Sequence, residues 1–145
     1  MKILITGGAG YIGSIATEQA QAAGHEVAVL DSLWRGHREA TGDVDFHEVD
    51  LRDAVAVGAA VQASRADAIM HFAATTIVPE SVEQPGLYFG VNTVGSHNLI
   101  TAAIEHGIER FVFSSTAAVY GAAEVTSSPR RRRPTPSTPT GSPSS

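Results

Sequence analysis

Lys2-Ile3-Leu4-Ile5-Thr6-Gly7-Gly8-Ala9-Gly10-Tyr11-Ile12-Gly13 is the stretch from which the architecture follows. Lys2–Thr6 is a short apolar run that stops at glycines, the pattern of a buried strand. Tyr11–Ala23 is rich in alanine and closes at Gly24, which predicts a helix with a glycine C-cap. Between them the glycines fall as Gly7-x-x-Gly10-x-x-Gly13, a variant of the G-x-G-x-x-G spacing. Gly7 permits the tight turn out of the strand. Gly10 removes a side chain where backbone must approach something closely. Gly13 lets the helix pack against the sheet.

Outward from that turn, the chain alternates. Glu26–Leu30 reads as the second strand, and Asp50 as a cap for a helix over roughly Asp53–Ala63. Ala68–Phe72 is another apolar run. A long helical stretch from about Ser81 to His106 follows, with a break near Pro85, and Arg110–Ser114 is a last strand. Strands separated by helical stretches imply parallel βαβ units with right-handed crossovers. The expected fold is therefore α/β: a Rossmann-like, doubly wound parallel sheet of about five strands, with its last strand at an unprotected edge.

The glycine turn carries the first functional reading. Bare backbone at a helix N-terminus offers unpaired N–H groups and partial positive charge to a pyrophosphate. Asp31 ends the second strand, 18 residues after Gly13, where a carboxylate accepts hydrogen bonds from a ribose diol. Together they predict a dinucleotide site; a plain βαβ turn with a capping aspartate is the alternative. The charge of Asp31 repels a 2′-phosphate, so NAD is favoured over NADP. Arg35 and Arg38, just beyond, are the cations near enough to contest that. Trp34 either lies over the adenine or is a partly exposed loop aromatic.

Composition removes other classes. The 145 residues fit one domain, and 43% hydrophobic residues suffice for a core. With no cysteine there is no disulfide scaffold and no thiolate metal site; a reducing compartment fits. No apolar run approaches the ~18 residues of a membrane span, and the N-terminal apolar run is too short for a signal peptide, so the cytoplasm is expected. All 15 acidic residues lie at or before Glu124, alongside only six basic ones, a poor surface for nucleic acid. The six histidines show no helical His-x-x-x-His spacing, so no metal site is expected, and His71 reads as a core residue at a strand end. Ser114-Ser115-Thr116 lacks a G-x-S-x-G turn, which argues against a hydrolase.

Residues 1–125 resemble the extended short-chain dehydrogenase/reductase family of NAD-dependent epimerases and dehydratases. The stretches that carry the resemblance are Ile5–Ser14, Gly24–Val27, Leu30–Leu33, Asp50–Asp53, His71–Ala74, Pro79–Val82, Asn92–Gly95 and Phe113–Gly121. The Glu80-Ser81-Val82 and Ser114–Gly121 blocks point to the sugar-nucleotide epimerases. What is implied is NAD-mediated oxidation and re-reduction at C4, interconverting UDP-glucose and UDP-galactose. Another NAD-dependent sugar-nucleotide epimerase or dehydratase, or a non-catalytic nucleotide-binding remnant, are the other readings; Thr116-Ala117-Ala118 lacks the acids of the dehydratases.

By position, the resemblance implies pyrophosphate contacts at Tyr11 and Ile12 and adenosine-ribose contacts at Asp31 and Ser32. Asp50 and Leu51 flank the adenine. Phe72, Ala73 and Ala74 line the cofactor, with Asn92 near it. Thr116 is the catalytic hydroxyl beside the sugar's reacting group. Thr76 stands where some members carry a lysine near the phosphates. A UDP-sugar is the implied partner, and complete relatives often dimerise through two helices, of which this chain keeps one.

The family's chemistry needs a Tyr-x-x-x-Lys pair, because a free tyrosine titrates near 10 and a neighbouring cation must lower it. The chain's single lysine is Lys2, and Glu124 stands four residues after Tyr120. Residues 126–145 contain only Ser, Thr, Pro, Arg and Gly, so they are expected to be disordered, with Arg130–Arg133 as solvated charge. The expectation is a domain over 1–125 truncated before the pair, inactive alone, with a tail like an out-of-frame reading of a GC-rich gene.

Overall fold

The computed structural model describes residues 1–116 and Val119. The sheet has five parallel strands: β1 (Lys2–Thr6), β2 (Glu26–Asp31), β3 (Asp45–Glu48), β4 (Ala68–His71) and β5 (Arg110–Phe113). Their order is β3-β2-β1-β4-β5, so the winding reverses between β1 and β4. Ligands of open α/β sheets bind at the carboxyl ends of the strands at such a reversal. The glycine turn leaves β1 there.

The helices are α1 (Tyr11–Ala22), α2 (Ala54–Ser64), α3 (Val78–Glu83), α4 (Pro85–Phe89) and α5 (Ser96–Glu105). Alternation along the strands sends side chains to two cores. Leu4, Ala28, Leu30 and Ile69 pack with Val57 and Val61 of α2 and Leu99, Ala102 and Ala103 of α5. Ile3, Ile5, Val27 and Val29 face the other way, onto Ala16 and Ala20 of α1. The sheet is thus wound on both faces.

Most boundaries agree with the sequence pattern, and α1 ends on Ala23 with Gly24 at φ +81°. Three elements differ. β3 has no apolar run: Asp45, His47 and Glu48 surround one phenylalanine, because an edge strand needs little burial. The cap of α2 is Asp53, whose carboxylate accepts from the Val55 and Ala56 N–H at 3.1 and 3.0 Å. Asp50, expected there, instead takes the Arg52 guanidinium. The predicted long helix is α3, a break at Gln84–Pro85, α4, a π-helical turn over Gly90–Gly95, and then α5. Residues 126–145, expected as a disordered tail, lie outside the described residues.

Candidate dinucleotide site

Gly7 leaves β1 at φ +74°, and a Cβ there would stand 2.6 Å from the Ala73 backbone nitrogen. A Cβ on Gly13 would stand 2.0 Å from the Gly7 carbonyl oxygen. Both obstacles are backbone and cannot swing aside, so these positions tolerate only glycine. The result is a turn pressed between the Phe72–Ala73 segment and the start of α1. Gly10 is the N-cap of α1 and has no side chain to cap it; no acid stands in the first turn. Tyr11 and Ile12 are 84% and 60% exposed. A twelve-residue helix thus presents its N-terminus openly, with no built-in anion to answer its dipole. That donor set fits the diphosphate of a dinucleotide.

Asp31, the last residue of β2, braces this turn: its Oδ2 accepts from the Ala9 N–H at 3.0 Å and its Oδ1 from the Leu33 N–H at 2.9 Å. Each oxygen keeps a lone pair, so the carboxylate can still accept from a ribose diol. Ser32 follows it and is exposed. The loop beyond folds back on the turn, with the His37 N–H bonded to the Ala9 carbonyl at 3.0 Å.

The other expected residues fall into distinct groups. Phe72, Ala73 and Ala74 leave β4 beside Gly7, tied by the Phe72 N–H to the Thr6 carbonyl at 2.9 Å. Asn92 clasps the residue after them: its Oδ1 accepts from the Thr75 N–H at 2.8 Å and its Nδ2 donates to the Thr75 carbonyl at 2.9 Å. Asn92 thus acts here by shaping the loop after β4. Leu51 turns its side chain into the core against Leu99, and its carbonyl accepts from Asn98. Asp50 is exposed enough to pair with Arg52, whose hydrogen bond holds its carboxyl below the usual range. Thr116 lies past β5 at the same edge of the sheet and is exposed; its carbonyl accepts from the Val119 N–H at 3.3 Å.

Two sets of contacts are not legible in the sequence: the Arg35–Glu80–Tyr88 group, and the partners of His71, whose core position the sequence does give. Arg35 Nη2 reaches both oxygens of Glu80, at 2.7 and 2.8 Å, across 45 residues of chain. Tyr88 donates to the same carboxylate at 2.6 Å, and its oxygen accepts from the Ile77 N–H at 3.0 Å. Hydrogen bonds, first from Tyr88 and then from Arg35, hold the Glu80 carboxyl low, while burial pushes the Tyr88 phenol up. Nothing in local patterning signals such a pairing. The second is His71, buried between Thr6 Oγ1 on Nδ1 (2.6 Å) and Ser96 Oγ on Nε2 (2.9 Å); desolvation pushes its pKa down to about 4.

Among the described residues no group of acids and histidines could hold a metal ion, and no helix is long and apolar enough to cross a membrane.

This geometry matches known proteins. A UDP-glucose 4-epimerase of Halalkalibacterium halodurans is 45% identical over 121 residues, covering 83% of this chain and 36% of that protein. One from Lacticaseibacillus casei is 47% identical over 122 residues, covering 83% of this chain and 37% of its own length. The crystal structure of the Thermus thermophilus UDP-glucose 4-epimerase in complex with NAD superposes with a TM-score of 0.90 at 43% identity; the match covers 97% of this chain and 46% of that one. The chain therefore spans a little over a third of the length of the curated relatives it matches. The model of the NAD dependent epimerase/dehydratase family matches residues 3–145, and the chain belongs to that family.

Proposed function

We propose that this chain is the NAD-holding portion of a UDP-glucose 4-epimerase, and that the complete protein interconverts UDP-glucose and UDP-galactose in the cytoplasm. The observation that carries the reading is the open N-terminus of α1 behind the Gly7 turn, with the Asp31 carboxylate beside it. In this reading the Tyr11 and Ile12 amides and the bare Gly10 hold the diphosphate. Asp31 and Ser32 take the adenosine ribose, and Asp50 and Leu51 border the adenine. Phe72, Ala73 and Ala74, followed by the Thr75 that Asn92 holds, form the wall along the rest of the cofactor. Bound NAD supplies a hydride acceptor that takes the C4 hydride and returns it to the other face of the sugar. In the same reading Thr116, past β5, hydrogen-bonds the sugar hydroxyl that loses its proton.

The proton itself calls for a tyrosine and a lysine four residues apart. Tyr11, Tyr88 and Tyr120 have no such partner. The codons of the tail bear on this. A proline codon ending in T, followed by the AC of threonine, spells TAC (tyrosine) when read one nucleotide earlier. A proline codon ending in A, followed by the AG of serine, spells AAG (lysine). Pro139-Thr140 and Pro143-Ser144 stand four residues apart. A single-nucleotide register shift after about Val125 thus admits Tyr-x-x-x-Lys at that place, and in this reading residues 126–145 come from the same gene out of register.

The tests are direct. Calorimetry with NAD on the 145-residue chain is expected to show weak binding, and a coupled UDP-galactose assay no turnover. A folded chain that ignores adenine dinucleotides overturns the NAD reading, and measurable epimerisation overturns the need for the missing pair. The DNA downstream of the Val125 codon is expected to give the pair in a shifted frame; if no frame does, the register account fails.

A further inference from the structure

We infer that Glu80 is a specificity residue of the dinucleotide site: by holding Arg35 it withdraws the cation nearest in sequence to Asp31 and so excludes a ribose 2′-phosphate. The inference rests on the NAD reading above and extends it. An arginine just beyond the strand-end acid is what accommodates a 2′-phosphate in sites of this architecture, because its planar donors match phosphate oxygens. Two arginines follow Asp31, and the structure commits both. Arg38 donates to Thr41 Oγ1 at 2.6 Å and the Gly42 carbonyl at 2.9 Å, and its guanidinium lies 4.5 Å from the Phe46 ring centre. Arg35 lies 4.2 Å over the Trp34 ring and reaches both Glu80 oxygens through Nη2.

The latch is anchored at both ends. Glu80 is fixed by the Tyr88 hydroxyl at 2.6 Å, and Tyr88 is itself buried and bonded to the Ile77 backbone. The loop that carries Arg35 is pinned on the glycine turn. His37 bonds Ala9, and a Cβ on Gly36 would stand 2.8 Å from the Ala9 Cβ. Arg35 therefore cannot keep Glu80 and serve a second anion by moving its backbone; it must release Glu80 first. A partly exposed ion pair holds modestly, so its removal is expected to shift selectivity by about fivefold at most rather than to convert it outright.

The experiment measures the Kd of NAD and of NADP by calorimetry on the 145-residue chain. Quenching of Trp34, its only tryptophan, serves as a second readout. Glu80→Gln is expected to tighten NADP about fivefold and to leave NAD within about twofold. Adding Arg35→Ala to that variant is expected to abolish the gain. Arg35→Ala alone changes an exposed side chain, and it is expected to leave NADP within about twofold because Arg35 is already withheld. Unchanged NADP affinity in a folded Glu80→Gln protein overturns the inference. So does an equal gain for both dinucleotides, or a gain that survives in the double variant. If Glu80→Gln does not fold, a loss of NADP affinity in Arg35→Ala overturns it. Absence of NAD binding by the unaltered chain removes the underlying reading instead, and is seen before any variant is made.

Discussion

His71 has a hydrogen-bond partner on each ring nitrogen, and the tautomer follows from its neighbours. The single hydrogen of Ser96 Oγ goes to the Asn92 carbonyl at 2.7 Å, so that oxygen accepts from His71 Nε2–H. Nδ1 is then the acceptor for the Thr6 hydroxyl. A line of bonds runs from the end of β1 through β4 to Asn92, and from Asn92 to the loop beside the glycine turn. Protonating His71 would put a second donor against Thr6 in a site only 2% exposed. Its pKa is about 4 in the fold against 6.5 unfolded, so between those values the unfolded chain binds the proton and the folded one does not. Stability is full above about pH 6.5 and falls as the pH drops toward 4, by about 3 kcal/mol in all. The carboxylates held low, such as Asp50, act below that window. Urea unfolding at pH 7.5, 6 and 5 is expected to show this slope. His71→Phe is expected to be less stable at pH 7.5 by about 2 kcal/mol, having stranded the Thr6 hydroxyl, and to show a flatter slope. The sequence placed His71 in the core, since it ends an apolar run. Its partners Thr6 and Ser96 lie 65 and 25 residues away and could not be read.

Two helix starts show how local chemistry divides structure from function. α2 begins with Asp53 capping two amides, and α1 begins with Gly10 capping none. The first is the usual way to satisfy a helix N-terminus; the second leaves it to a ligand or to water. Asp53→Ala is expected to cost about 1 kcal/mol in chemical denaturation, with NAD affinity unchanged in calorimetry. If that substitution weakens NAD as well, α2 is part of the site. The same contrast explains what the pattern revealed. The glycine turn and Asp31 were legible because their spacing is fixed by strand, turn and helix lengths. Asp50 reads equally well as the cap, being an acid before an alanine-rich run, and only the folded helix decides: Asp53 accepts from the Val55 and Ala56 N–H while Asp50 pairs with Arg52. The π-helical turn at Gly90–Gly95 gives no periodic signal; Gly95 sits there because a Cβ would lie 2.8 Å from that of Leu51. Of the site, what lies close along the chain could be read, and the Arg35–Glu80–Tyr88 latch, closed by folding, could not.

Across the whole sheet the two edges differ. At β3 the edge strand is polar, and Asp45 is tied back to Lys2 at 2.8 Å, a guarded edge. At β5 three of the four residues are Phe111, Val112 and Phe113, and among the described residues no strand pairs beyond them. Register puts Val112 beside Met70 and Met70 beside Ile5, on the face that α1 covers over β1 and β2. Over β5 none of the described helices gives that cover, and Val112 is 54% exposed. On the other face, Ile104 at the end of α5 is 73% exposed and lines a groove with Ile100, Ile108 and Phe111. Apolar side chains in this state contribute little to the fold and make a surface prone to association. Ile104→Lys combined with Val112→Thr is expected to change the unfolding free energy by less than about 0.5 kcal/mol. The pair should also lower the binding of a hydrophobic dye and the self-association seen in sedimentation. Leu99→Ala, in the core shared by α2 and α5, is expected to cost about 3 kcal/mol and serves as the reference. Should the exposed pair cost as much as Leu99→Ala, those side chains are core, and β5 is a covered strand rather than the open side of the sheet.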